Sequence, residues 1–227
     1  NQKEEHVYTL VHDMKSPLTN IVLGVDLILT GDNTFSADEK EMLEKMKETG
    51  LRISKMAQQF LEHMKNDFVS DKLAFENLNP NSIIEILLRE FYPEANKKGV
   101  LLSLELQENL ETVCWDQTLI LRLMGNLLDN AIKYSPENEV VTLSLSQNEQ
   151  ETTYHVIDNG PGIKKEDQEK IFEMFYQPEN SQKGFGIGLS FSKKVVDKHF
   201  GSIKVLSQDS GFGTIFRVIL PNNPKKF

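Results

Sequence analysis

Cysteine, tryptophan and basic charge are scarce in this chain, and each scarcity removes a class of protein. One cysteine in 227 residues, Cys114, leaves no partner for an intrachain disulfide. A disulfide-stapled scaffold is therefore excluded, and a reducing compartment suits the chain. Cys114 is expected to be a small buried apolar residue beside the single tryptophan, Trp115. Lys and Arg number 25 against 34 Asp and Glu, a formal charge of −9. A general nucleic-acid binder needs a basic face to displace counterions from phosphates, so no nucleic-acid partner is expected. No apolar run approaches the roughly 20 residues that span a bilayer. No signal-peptide pattern opens the chain either, and this portion is expected to be cytoplasmic. What remains, 39% hydrophobic and 26% charged residues, is the composition of ordinary globular domains. The length allows one large domain or two small ones.

Two helical stretches come first. From Glu5 to Leu29 apolar residues recur at helical spacing (Val7, Leu10, Val11, Met14, Leu18, Ile21, Val25, Ile28). Thr30 to Thr34 reads as a loop, and Ser36-Ala37-Asp38-Glu39 matches a capping box at the start of a second helix. That helix places Leu43, Met46, Gly50, Ile53, Ala57, Phe60 and Met64 at alternating steps of three and four. The pattern is a heptad seam, and a seam wants facing helices. Two antiparallel helices alone bury too little, so a helical hairpin forming a homodimeric four-helix bundle is expected. The alternative is that both helices pack on the rest of the same chain. The abrupt start, already inside a helical pattern, suggests that a sensory or membrane-bound portion lies upstream.

Composition shifts near Asn77-Leu78-Asn79-Pro80, which divides the chain into domains over 1–76 and 77–227. In the second, helices are predicted over 82–98, 119–134, 165–172 and 187–200. Strands are predicted over 100–106, 112–115, 140–146, 153–157, 203–206 and 214–220. Mixed strands and helices in this order suggest a sheet covered by helices on one face, an α/β sandwich.

Three elements in this second domain suit a nucleotide. Asn126, Asn130 and Lys133 lie four and three apart, so they share roughly one helix face. The Asn130 amide oxygen can serve Mg²⁺, which prefers hard oxygen ligands and keeps several waters. Lys133 places a positive charge near phosphates, and Tyr134 an aromatic face or hydroxyl near the nucleotide. Asp158-Asn159-Gly160-Pro161-Gly162 follows a strand. A carboxylate there can accept a hydrogen bond from an adenine amino group, and the glycines let backbone approach the base. Gly184, Gly186 and Gly188 precede a long helix whose exposed N–H groups and dipole suit an anion. Residues 177–183 between the two glycine runs have the composition of a lid. Each element alone is weak, since turns and flexible loops use the same residues; their order and spacing together point to ATP.

Of five histidines (His6, His12, His63, His155 and His199), only His12 has an adjoining acid, a basic residue three positions on and a proline five positions on. A neutral imidazole nitrogen with a free lone pair is a nucleophile. Asp13 can bond the other ring nitrogen, select the tautomer and stabilise the charge that develops during attack. Lys15 can neutralise phosphoryl oxygens, and Pro17 should bend the helix just after the acceptor. His199, near a helix end, is expected to be an imidazolium favoured by the dipole.

On these motifs the whole chain resembles the catalytic core of a two-component sensor histidine kinase. His12-Asp13-Met14-Lys15-Ser16-Pro17 is similar to that family's H-box, and 126–134 to its N-box. Residues 158–162 and 184–188 resemble its two glycine boxes, 171–175 its F-box, and Gly211 to Thr214 a final glycine-threonine element. The resemblance implies the Bergerat (GHKL) ATP-binding fold behind a dimerisation and phosphotransfer domain. It also implies ATP-dependent autophosphorylation of His12, transfer to an aspartate of a response-regulator receiver domain, and Thr214 among the nucleotide-binding residues. Ser16 stands where relatives that also dephosphorylate their partner often carry Thr or Asn, so the resemblance carries no phosphatase activity over. Two other readings stay open: an ATP-sensing pseudokinase, and a different GHKL ATPase of the mismatch-repair or chaperone kind.

Overall fold

The computed structural model describes residues 19, 21–30, 35–68, 73–178, 186–207 and 213–224. The chain divides into two compact units, Asn1–Asp71 and Lys72–Phe227. The division falls a few residues before the Asn77–Pro80 stretch at which composition changes.

The first unit contains helices α1 (21–30) and α2 (Ala37–Phe68). The capping box forms as the sequence predicts. The Ser36 hydroxyl accepts the Glu39 N–H at 3.3 Å, and the Glu39 carboxylate accepts the Ser36 N–H at 2.9 Å. Those bonds hold the Glu39 carboxyl below its usual range. The Asp26 carboxylate pairs with the Lys47 ammonium, and Val22 packs over Gly50. Positions rise along α1 as their partners fall along α2, so the two helices are antiparallel. Val25 is buried between them. On the other faces Leu27 is 73% exposed, Met42 66%, Ile21 50% and Met46 46%. Among the described residues, these apolar side chains are therefore uncovered within the first unit.

The second unit is an α/β sandwich. Strands β2 (Leu101–Leu106), β4 (Val140–Gln147), β5 (Glu151–Asp158), β6 (Ser202–Leu206) and β7 (Thr214–Pro221) form one sheet in the order β2-β4-β5-β7-β6. β2 runs parallel to β4, and the other pairs are antiparallel. Helices α3 (Pro80–Lys98), α4 (Gln117–Tyr134) and α5 (Gly188–Lys198) place their apolar stripes on the sheet. Ile83, Leu87, Leu123, Leu127 and Val196 meet Leu143, Tyr154, Val156 and Val218 in one core. The period-two alternation of β5 and β7 turns every second residue inward, as a sheet covered on one face requires. The two large polar-tipped rings of this core are paired: the Tyr154 hydroxyl donates to the Pro80 carbonyl at 3.0 Å and the Trp115 indole N–H to Pro221 at 2.7 Å.

Three expectations change. The helix expected over 165–172 is a turn ending in one 3₁₀ turn, Lys170–Phe172. Among the residues before that turn charges dominate, and Ile171 is the buried apolar residue, so no stripe holds a longer helix on the core. The interdomain stretch contains a strand, β1 (Glu76–Leu78), paired antiparallel with β3 (Val113–Trp115). On β3, Val113 and Trp115 point inward, so alternation turns Cys114 the other way and leaves it half-buried.

α5 ends in a Schellman arrangement: the Gly201 N–H bonds the Val196 carbonyl at 2.9 Å and the Phe200 N–H bonds Asp197 at 3.0 Å. Phe200 therefore occupies the left-handed position, φ 58°, with its side chain 60% exposed. A Cβ there costs roughly 1–2 kcal/mol, of which the larger unfolded-state entropy of glycine cancels about half. Phe200→Gly should thus raise stability by about 0.5–1 kcal/mol, read as a higher urea midpoint at unchanged slope. A loss of stability would show that the ring makes a contact worth more than the strain.

Candidate functional site

α4 is the helix on which the site is built. Asp116 caps its N-terminus, accepting the Leu119 N–H on one carboxylate oxygen at 3.1 Å and the Ala74 N–H on the other at 3.0 Å. The Asp116 backbone N–H donates to Nε2 of His199 at 3.1 Å, and Nδ1 of that ring lies 2.8 Å from the Val195 carbonyl. This pairing defines a neutral imidazole protonated on Nδ1. Complete burial pushes its pKa down. The expected imidazolium at a helix end is therefore corrected: His199 is an uncharged bridge between the start of α4 and the end of α5, with Phe75 edge-on at 5.5 Å.

Along α4, Asn126, Asn130 and Lys133 are half-buried at their predicted spacing. The Asn126 amide donates to the Gly188 carbonyl at 3.3 Å, tying α4 to the first residue of α5. The Lys133 ammonium lies 5.5 Å from the Tyr134 ring centre. Pro136 follows the C-cap, Ser135, whose N–H bonds the Ala131 carbonyl at 3.0 Å. The next carbonyls are taken from a distance: Lys98 Nζ donates to Ile132 at 2.6 Å, to Lys133 at 2.7 Å and to Ser135 at 2.6 Å.

Asp158 closes β5 and is 4% exposed. Its carboxylate accepts the Gly160 N–H at 2.8 Å, and Thr214, its register partner on β7, donates through both backbone and hydroxyl. Burial outweighs these donors and raises its pKa from 3.8 to about 6. The folded unit therefore holds this proton longer than the unfolded chain does. The stabilising contribution is complete below pH 3.8 and is lost as pH rises through about 6. The surrounding backbone is tight. A Cβ on Gly160 would sit 3.0 Å from the Tyr134 carbonyl oxygen, and Gly213, at φ 74°, would drive one to 2.2 Å from the Asp158 carbonyl. Gly213 closes the turn by donating its N–H to Gly160 at 3.0 Å.

The third element starts α5. Gly186 accepts the Phe175 N–H at 2.8 Å. At the N-cap, Ile187 offers no side-chain bond to the first-turn N–H groups. Preceding it, Tyr176 donates its hydroxyl to Asp167 at 2.6 Å, and that bond raises the phenol pKa to about 12.

The structure thus joins Asn126 with Gly188, Asp158 with Gly160 and Thr214, and Tyr134 with Gly160, while Gly162 follows at φ 75°. His12, Asp13, Lys15 and Gly184 lie outside the described residues, as does the 179–183 part of the stretch read as a lid. Lys98, Asp116, Tyr176 and His199 were not among the residues the sequence singled out for the site. Asp116 carried a usable signal, an acid just before an apolar helix; the others act on partners far along the chain.

Comparison with known proteins accounts for this arrangement. Residues 2–67 match the family model described as "His Kinase A (phospho-acceptor) domain". Residues 115–224 match "Histidine kinase-, DNA gyrase B-, and HSP90-like ATPase". The chain is 29% identical over 227 residues to the adaptive-response sensory kinase SasA of Gloeothece citriformis, covering 96% of this chain and 58% of that protein. It therefore spans just under three-fifths of the length of that relative. Among solved structures, the catalytic domain of histidine kinase ThkA is 28% identical with a TM-score of 0.62, covering 68% of this chain and all of that one. Full-length ShkA, solved in complex with AMPPNP, shares the fold at 22% identity and a TM-score of 0.73, over 96% of this chain and 45% of its own. Two family models in tandem, together spanning more than half of the chain, and a sensory kinase alignable along nearly all of it place this protein in the sensor histidine kinase family, as a phospho-acceptor domain followed by a GHKL ATPase domain.

Proposed function

We propose that this chain is a homodimeric, cytoplasmic kinase core that uses ATP to phosphorylate its own His12 and then passes the phosphoryl group to an aspartate of a response-regulator receiver domain, under the control of an upstream sensor. The observation that carries the ATP half of this reading is Asp158, a buried carboxylate at a strand end, braced by Gly160 and Thr214. A group held ionised against its burial is suited to accept a donor such as the adenine amino group. Gly160 and Gly162 would give the base backbone access, Tyr134 would offer its ring or hydroxyl to the nucleotide, Lys133 would bring its charge to the phosphates, and Gly184, Gly186 and Gly188 would offer them N–H groups.

Asn130 fits Mg²⁺. It presents a hard amide oxygen, and among the described residues no cluster of three His, Cys, Asp or Glu side chains forms an all-protein cage. Mg²⁺ usually takes one or two protein carboxylates with substrate phosphates and keeps several waters; here the Asn130 amide oxygen would take the carboxylate's place, and the ion would neutralise phosphate charge. For the acceptor half, the neutral His12 ring attacks the γ-phosphorus with its free nitrogen. An N–P bond forms, the bond to the bridging oxygen breaks, and ADP leaves with that electron pair. Asp13 holds the proton of the other ring nitrogen and takes up the imidazolium charge, and Lys15 offsets charge on the phosphoryl oxygens. Homodimerisation is supported by Ile21, Leu27, Met42 and Met46, which are too exposed for one hairpin in water and which a second copy would cover.

Two outcomes are expected. With γ-labelled ATP and Mg²⁺, the chain should incorporate acid-labile, alkali-stable label that disappears in both His12→Gln and Asn130→Ala; label retained in His12→Gln would place the acceptor elsewhere. Separately, calorimetric titration of ATP should show affinity falling as pH drops through about 6, where Asp158 gains its proton. Asp158→Asn should bind about tenfold or more weakly, the worth of a hydrogen bond to a charged group, and should lose that pH dependence. An unchanged profile in Asp158→Asn would remove Asp158 from base recognition.

A further inference from the structure

The Lys98 ammonium ends a reach of 34 to 37 residues at the C-terminal turn of α4, with three backbone carbonyl oxygens at 2.6, 2.7 and 2.6 Å. Convergent carbonyls around one compact charge form the kind of oxygen cage that backbone also builds around bare monovalent cations. The place suits it. The last four carbonyls of a helix lack intrahelical partners and form the negative end of its dipole. In α4 the Ala131 carbonyl is taken by Ser135, and those of Ile132 and Lys133 by Lys98. That of Tyr134 faces Gly160, where a Cβ would stand only 3.0 Å from it. The stem of Lys98 is itself fixed: Gly99 ends α3 at φ 73° and its carbonyl accepts the Asn138 N–H at 2.8 Å. The loop from Ser135 to Asn138 is thus pinned at both ends to the end of α3.

We propose that Lys98 is a positioning residue for the nucleotide site, a tethered monovalent cation that holds the last turn of α4 where Lys133, Tyr134 and Gly160 must meet. This rests on the reading of that site as the ATP site. A guanidinium, planar and broader, cannot converge on three carbonyls in the same way, so Arg is not an equivalent. Removing the ammonium leaves a carbonyl cage with no charge, which a small free cation can enter and a bulky one cannot.

The test uses the whole chain as wild type, Lys98→Ala and Lys98→Met, each in choline, potassium and ammonium chloride at equal ionic strength. Thermal unfolding without nucleotide and the Kd for ATP are measured in each salt. Lys98→Ala should bind ATP at least tenfold more weakly than wild type in choline. Ammonium or potassium should recover most of that loss and raise its Tm. Lys98→Met, which fills the space without charge, should stay weak in every salt, and wild type should be indifferent to the cation. Wild-type affinity in Lys98→Ala, or a loss equal in all three salts, would overturn the proposal, the second result leaving Lys98 a packing residue. Failure of wild type to bind ATP in any salt would instead overturn the ATP reading, while cation-specific melting of Lys98→Ala would still decide the cage.

Discussion

The second unit depends on how α4 is held at its two ends. An amphipathic helix packed by one apolar stripe is fixed against rolling but only weakly against sliding, because the hydrophobic effect has no direction. Direction comes from the polar ties. At the N-terminus Asp116 caps the helix, bonds the incoming chain at Ala74 and donates its own N–H to His199. Midway the Asn126 amide holds the start of α5. At the C-terminus the Lys98 ammonium takes three carbonyls. With both ends and the middle fixed, the half-buried face carrying Asn126, Asn130 and Lys133 has a set height and rotation over the sheet. Positioning of that kind is what phosphoryl transfer demands, since the protein contributes mostly orientation and charge.

Asp158 shows what the site costs the fold. A rise from 3.8 to about 6 corresponds to roughly 3 kcal/mol against the ionised form, at about 1.4 kcal/mol per unit. That is a substantial fraction of the stability of a small domain. Asparagine would avoid the charge, but it presents N–H groups where Gly160 and Thr214 already donate, so it would exchange one penalty for another. The backbone around the carboxylate leaves little slack, because Gly213 and Gly160 both approach more closely than a side chain allows. A buried charge in tight backbone that destabilises the unliganded unit is the kind of group expected at a functional site, as the proposed base contact requires.

The features legible in the sequence were those whose cause lies within a few residues. The Ser36–Glu39 capping box, the stripe of α4 and the alternation of β5 and β7 each follow from local spacing, and each forms. The glycines around Asp158 could be read because backbone approach leaves a compositional trace. Lys98 left none: its partners lie more than thirty residues on, and a lysine before a glycine at a helix end looks like any solvated C-terminus. His199 was misread for the related reason that a helix-end histidine favours the charged form only while water reaches it. Burial against Asp116 and Phe75, from 83 and over a hundred residues away, reverses that. The helix missing over 165–172 makes the converse point, because local propensity without an apolar stripe does not hold a helix on the core.

His199 also fastens α4 and α5 to the first residues of the second unit. Its Nε2 can accept the Asp116 N–H only while unprotonated, and burial keeps it so. Phe75 lies edge-on to the ring, and Ala74 bonds the same aspartate that caps α4. The first residues of the second unit are therefore fastened to the start of α4 and the end of α5, the ends opposite the Tyr134 and Gly188 termini. Releasing Ala74 would leave the Asp116 carboxylate with the Leu119 N–H alone, and tilting His199 would strand the Asp116 N–H in a buried place. The first unit thus leaves apolar side chains uncovered, whereas the second spends buried polar groups on fixing the ends of its helices.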